Sequence, residues 1–268
     1  MRDTLAWAAG NEHEEVMKML LERDDVDPDS PNLHNQTPLW WASYVGDEGV
    51  VKLLLGRNDV NPDKPDSMGR TPLRWATFSG NEGVMKLLLG RDDVNPDKPD
   101  RNGWTPLLQA VYRRDEGVVK LLLGRDEVNP NKLDNRGWTP LWLASCNGHE
   151  EVVKLLLSRD NINPNKTDAE DQTPLSRASA RGHQGVVKIL LERDDVDSDR
   201  PDMHGRTPLW WAAYVGNEGV VKLLLRRDDI NPDKPDRNGW TPRWWAIYKR
   251  HEGVAKLLLA RVCPQQTR

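Results

Sequence analysis

The side chains in this sequence best suited to chemistry are aromatic rings and guanidinium groups. Twelve Trp and four Tyr stand against a single Phe. Rings present a broad apolar face on which an Arg can stack, so this combination serves non-covalent capture rather than bond making. Covalent chemistry is poorly provided for. Cys146 and His149 lie close together but across a helix end, with no third group to orient the pair as a nucleophile and its base. His149 and His183 each follow a Gly at the start of a helix and are expected to be structural. Cys146 and Cys263 are too few for a disulfide framework or a metal cluster. The acidic loops lack calcium-binding spacing, and no Gly-rich phosphate loop occurs. A non-enzyme without cofactor or metal is expected.

Bulk properties narrow the partners. The 268 residues carry 38 basic and 42 acidic side chains, a net charge of −4. Nucleic-acid binding draws most of its affinity from phosphate neutralisation, so a weakly acidic chain is a poor candidate for it. No apolar run approaches the roughly 20 residues that a membrane helix needs. Residues 1–10 lack the basic start and apolar run of a secretory signal. Sparse cysteine fits a reducing compartment, so a cytoplasmic or nuclear location is expected.

The elements that position the rings follow from a period. Thr-Pro occurs at Thr37, Thr71, Thr105, Thr139, Thr173, Thr207 and Thr241, each 34 residues after the last. Lys52, Lys86, Lys120, Lys154, Lys188, Lys222 and Lys256 keep the same interval, as do Ala42, Ala76, Ala110, Ala144, Ala178, Ala212 and Ala246. The chain divides into repeats 32–65, 66–99, 100–133, 134–167, 168–201, 202–235 and 236–268, preceded by a shortened one over 1–31. Each repeat predicts two helices and an extended loop. In 32–65, Thr37 is a good N-cap and Pro38 suits the first helical position. The helix through Leu39–Tyr44 stops at Gly46, and a second starts near Glu48 with Val50, Val51, Leu53, Leu54 and Leu55 forming its apolar side. Two prolines, Pro62 and Pro65, then hold the chain extended. One helix pair cannot bury both its apolar faces, whereas stacked pairs can.

The pattern Asp-x-x-Gly-x-Thr-Pro-Leu-x-x-Ala, followed by Glu-x-Val-Val-Lys-Leu-Leu-Leu and Asp-Val-Asn, resembles the ankyrin repeat, most clearly over 100–123 and 202–225. The resemblance covers nearly the whole chain. It implies an all-α solenoid of about eight repeats, a single domain over 1–268, with turn fingers and with first helices lining a concave side. Three departures stand out. The period is 34 rather than the family's usual 33. Trp40, Trp142, Trp210 and Trp244 occupy the place of the family's His. The Arg-Asp-Asp-Val-Asn-Pro-Asp-Lys-Pro-Asp loop resembles ankyrin arrays of large fungal proteins. The last repeat keeps Val254, Leu257, Leu258 and Leu259 with little polar exchange, which predicts a longer array or an end covered by a partner.

Scaffold positions repeat, and positions free for function vary. The constant Lys phase is expected on a solvated outer face, and the acidic loops as solvated fingers. Before each Thr stand Gln36, Arg70, Trp104, Trp138, Gln172, Arg206 and Trp240. The resemblance implies that this position is exposed on the finger facing the groove, where a Trp is expected to bind a partner or, alternatively, to pack against a neighbouring finger. Late in the first helix come Tyr44, Phe78, Tyr112, Cys146, Ala180, Tyr214 and Tyr248, then variable residues that include Arg113 and Arg181. The predicted partner-binding residues are therefore Trp104, Trp138, Trp240, Tyr44, Tyr112, Tyr214, Tyr248, Arg113 and Arg181, with Trp, Tyr and Arg being the types that dominate interface energetics. The tandem pairs Trp40-Trp41, Trp210-Trp211 and Trp244-Trp245 are expected chiefly to pack between repeats. Repeat 168–201, with Gln172, Ser176, Arg177 and Arg181, forms a polar, basic gap between aromatic patches. The functional expectation is a scaffold binding a protein or peptide on the concave face. Alternatives are a hydrophobic or cationic small molecule in the aromatic groove, and a structural spacer of a larger protein.

Overall fold

A computed structural model describes residues 2–11 and 13–262. Met1, Glu12 and Cys263 are among the positions outside the described residues. The chain separates into two units, Met1–Asn135 and Arg136–Arg268. The first holds α1 (Arg2–Gly10), α2 (Glu14–Leu21), α3 (Pro38–Val45), α4 (Glu48–Leu55), α5 (Pro72–Ser79), α6 (Glu82–Leu89), α7 (Pro106–Arg113) and α8 (Glu116–Leu123). The second holds α9 (Pro140–Asn147), α10 (Glu150–Leu157), α11 (Pro174–Arg181), α12 (Gln184–Leu191), α13 (Pro208–Val215), α14 (Glu218–Leu224), α15 (Pro242–Tyr248) and α16 (Glu252–Val262). No strand occurs among the described residues.

Local chemistry sets these boundaries. Thr37 Oγ1 accepts from Trp40 N at 3.1 Å, and Pro38 occupies the position whose N–H would go unused. The same Thr-Pro start opens α5, α7, α9, α11, α13 and α15. Gly46 ends α3 in the left-handed region at φ 97°, where a side chain is strained. At the same phase Arg114 and Arg250 adopt φ 58° and 61° without being Gly.

Packing then runs along the array. In the first unit α3 lies against α1 and α5, and α4 against α2 and α6. In the second, α11 lies against α9 and α13, and α12 against α10 and α14. Leu39, Ala42, Val50, Val51 and Leu54 are sealed in this core, and their counterparts recur in later repeats. Each fully buried Leu or Val contributes about 1.5–3 kcal/mol. Lys52 and its counterparts are exposed, as the periodicity predicts.

Polar groups stitch successive repeats together. Asn81 Nδ2 donates to the carbonyls of Ser43 and Tyr44. His183 Nε2 donates to the Cys146 carbonyl at 3.0 Å, and His251 to that of Tyr214 at 3.2 Å. Arg57, Arg91, Arg193 and Arg227 each donate to a helix-terminal carbonyl one repeat earlier, at Leu21, Leu55, Leu157 and Leu191.

The acidic loops meet the expectation of solvated fingers in part: Asp59 and Asp93 are exposed, but other loop aspartates are not. Asp29, Asp63 and Asp97 are buried. Asp29 accepts from Asn61 N and Asp63 from Asn95 N, both at 2.9 Å. Lys64 and Lys98 donate to the carbonyls of Asp29 and Asp63. An extended loop has unpaired backbone groups, and stacking these loops in register lets each repeat satisfy those of its neighbour.

Candidate functional site

A row of aspartates organises the variable side chains. Asp66 uses Oδ1 to accept from Met68 N and Arg70 N, which fixes the finger turn. Its Oδ2 accepts from Trp40 Nε1 of the preceding repeat at 3.2 Å, from Trp75 Nε1 at 3.2 Å and from Arg70 Nε at 2.9 Å. In the second unit Asp236 takes Trp210 at 3.1 Å and Trp245 at 3.2 Å, while Asp202 takes Arg206 and Trp211. Burial alone would raise the Asp66 carboxyl, but the backbone donors, Trp75 and the Arg70 charge outweigh it and hold the group below its ordinary value. Trp40 and Trp210 are buried, whereas Trp41, Trp75 and Trp211 are half-buried. The indole thus fills space between repeats and carries the hydrogen bond from one helix to the next finger.

The three finger tryptophans find ring partners within their own repeats. Trp138 stacks on Trp142 at 4.7 Å and 11°, and Trp240 on Trp244 at 3.9 Å. Trp104 lies edge-on to Tyr112 at 5.3 Å and donates its N–H to Asp134 Oδ2 at 3.2 Å. Where the finger residue is Arg, it covers the indole of the same repeat: Arg70 over Trp75 and Arg206 over Trp211, both at 4.4 Å. Where it is Gln172, it accepts from Arg177 Nη1 at 2.8 Å. The finger and first-helix residues vary as matched pairs. None of the three Trp is sealed: Trp104 and Trp138 are half-buried, and Trp240 is 39% exposed.

The late first-helix phase carries the open rings. Tyr44, Phe78 and Tyr112 are 39%, 38% and 58% exposed in the first unit. Tyr248 is 63% exposed in the second unit, where Tyr214 is half-buried and stacks on Trp210 at 5.1 Å. Arg113 is exposed, with its guanidinium 5.0 Å from the Phe78 ring, and Arg181 is exposed at the end of α11.

Each unit contains a cleft of the same construction. In the first, Met68, Arg70, Arg74, Trp75, Phe78, Asp100, Asn102, Trp104, Gln109 and Tyr112 enclose about 390 Å³. In the second, His204, Arg206, Trp210, Trp211, Tyr214, Asp236, Asn238 and Trp245 enclose about 300 Å³. Each lining residue of the second stands four periods after its counterpart, with Trp210 in the place of Arg74 and Trp245 in that of Gln109. Gly103 lies just beside the first cleft at φ 79°, where a Cβ would come within 2.7 Å of Asn135 N. Periodicity alone did not single out Asp66, Asp100 or Arg74. The signal available was Arg74 itself, the one charged residue at its phase beside Trp40, Leu108, Trp142, Ser176, Trp210 and Trp244.

Paired helices every 34 residues, joined finger to finger by backbone bonds such as Arg101 N to the Met68 carbonyl at 3.0 Å, define a helical repeat scaffold. The family description "ankyrin repeats (3 copies)" matches residues 5–100, 42–132, 92–168, 160–236 and 195–267. The chain belongs to the ankyrin repeat family, whose repeats are generally protein–protein interaction scaffolds and typically non-catalytic. Comparison with curated proteins gives no match. Among the described residues no helix is long and apolar enough to cross a membrane, and no cluster of three His, Cys, Asp or Glu side chains could hold a metal ion.

Proposed function

We propose that this protein is a non-catalytic scaffold that captures a protein or peptide on the face bearing its variable aromatic residues, the concave side in ankyrin stacks. One observation carries this reading. Tyr44, Phe78 and Tyr112 recur at a single phase with more than a third of each residue open to solvent, while the scaffold positions around them are sealed. Large rings left open beside Arg side chains are the groups that anchor interfaces. Within the first unit Trp104 adds contact area and Arg113 adds charge; the second unit offers a set of its own, Trp138, Trp240, Tyr214 and Tyr248 with Arg181. The exposed rings weigh against a pure spacer. The sparse cysteine supports an intracellular setting.

The test is affinity capture from source extract with the wild type and the Tyr44→Ala/Tyr112→Ala variant. Partners held by the wild type are expected to be lost from the variant, with helical circular dichroism unchanged. Retention of the same partners by both would overturn the reading.

A hydrophobic small molecule is a second reading, favoured by the aromatic walls and volume of the first cleft. A cationic one fits less well. Arg70 already covers Trp75, Arg113 lies by Phe78, and Arg74 stands 5.9 Å from Trp104.

A further inference from the structure

The two clefts differ at one telling position. Arg74 stands where Trp40, Trp142, Trp210 and Trp244 stand in other repeats. Trp40 and Trp210 give the next repeat's carboxylate a hydrogen bond of 3.2 and 3.1 Å. Arg74 does not: its Nη2 stops 3.6 Å from Asp100 Oδ2. Its Nε is buried with no partner, although the side chain is only 8% exposed. A guanidinium brings five N–H donors, and a buried ion is tolerated only when those donors are satisfied. Burial pulls the group down to about 10, so it still carries its charge at neutral pH.

The partner carboxylate is equally under-used. Asp100 Oδ1 is taken by Asn102 N and Trp104 N, while Oδ2 has the loose Arg74 contact. At Asp66 the matching oxygen accepts from three side chains. The surroundings favour an incoming anion. Arg70, Arg74 and Arg113 bring three positive charges to the cleft and its rim, against Asp100 and the already saturated Asp66. Trp75, Trp104 and Phe78 already face the protein's own guanidinium groups.

We infer that the first cleft seats the carboxylate of an Asp or Glu side chain in an extended segment of a partner protein. The acidic oxygens accept from the Nη groups of Arg74, and a flanking apolar residue lies against Phe78 and Tyr112. This inference rests on the proposed scaffold function and narrows it. In the second cleft Arg206 and Lys249 match Arg70 and Arg113, but Trp210 replaces Arg74 and hydrogen-bonds Asp236, so the buried cation has no counterpart there.

Two immobilised decapeptide series test it. One carries a central Glu or Asp beside Leu or Phe, and the other has Gln or Asn at that position. The full chain is expected to hold the acidic series at least tenfold more tightly than the amide series. Arg74→Trp installs the residue found at this phase in four other repeats and offers Asp100 an indole N–H. It is expected to keep the helical circular dichroism and melting temperature while its preference falls below twofold. Arg74→Gln is expected to lose the preference likewise. Equal retention of both series by the wild type overturns the carboxylate assignment and leaves the scaffold function standing. So does a preference that survives Arg74→Trp. Binding of neither series also overturns the assignment, and the Tyr44→Ala/Tyr112→Ala capture then decides the scaffold function separately.

Discussion

Trp40 in α3 donates its indole N–H to Oδ2 of Asp66, 26 residues further on, at 3.2 Å. The same oxygen holds Trp75 and Arg70, so one carboxylate joins two first helices and a finger. Removing it leaves three donors without their acceptor and uncaps the turn. Asp66→Ala is expected to lower stability by about 3–4 kcal/mol, and Asp66→Asn by about 2 kcal/mol, since an orphaned buried donor costs ~1–3 kcal/mol. Urea unfolding followed by circular dichroism measures this. A loss under 1 kcal/mol for Asp66→Ala would show that the joint carries little. The folded carboxyl sits below its ordinary value, so its contribution is present above pH 3.8 and disappears as pH falls through the lower folded value. The gap between wild type and Asp66→Asn should therefore narrow in acid.

Asp63 has the opposite sign. Burial raises its carboxyl, against the pull of the Asn95 N–H and the Lys98 charge, and Oδ1 has no partner. At the same phase Asn165 donates to the Asp195 carbonyl at 2.6 Å and accepts from Asp197 N at 2.8 Å. Asp63→Asn is expected to stabilise the protein by about 1 kcal/mol at pH 7, or about 2–4 °C in melting temperature. A raised folded value means that the wild type regains stability as pH falls through it. The advantage of Asn should shrink on acidification, and an advantage independent of pH would contradict the burial argument.

Trp41 shows what happens when the carboxylate is missing. Its Nε1 is buried without a partner, whereas Trp75, Trp211 and Trp245 at the same phase donate to Asp66, Asp202 and Asp236. The corresponding acceptor position holds Asn32, whose Oδ1 is spent on His34 N and Gln36 N. Asn32→Asp is expected to raise stability by about 1 kcal/mol at pH 7. Pairing it with Trp41→Phe should cancel the gain, and a double-mutant cycle reads the coupling directly.

Arg114 holds φ 58° where Gly46, Gly80, Gly148, Gly182 and Gly216 stand in other repeats. A left-handed non-Gly residue costs about 1 kcal/mol or more, partly offset by the extra freedom Gly has when unfolded. Arg114→Gly is expected to stabilise by roughly 0.5–1 kcal/mol. Thermal unfolding at matched concentration checks it, and a lower melting temperature would mean that the Arg side chain compensates for its backbone.

The 34-residue rhythm of Thr37, Ala42, Gly46, Lys52 and Pro62 by itself determined the helix pairs, their boundaries and the identity of the core, because caps, prolines and apolar spacing act within a few residues of chain. Only tertiary structure decided where the polar atoms go. That Asp66 gathers Trp40 and Trp75, that Trp138 lies flat on Trp142, and that Asp63 is buried between loops all depend on distances across repeats or on ring orientation. Arg74 shows the difference most clearly. In the sequence it is one more variable residue, but the fold makes it a buried cation with its hydrogen bonding unfinished. Whether a donor is satisfied depends on separations of a few tenths of an ångström between groups a full repeat apart, and periodicity along the chain does not specify those separations.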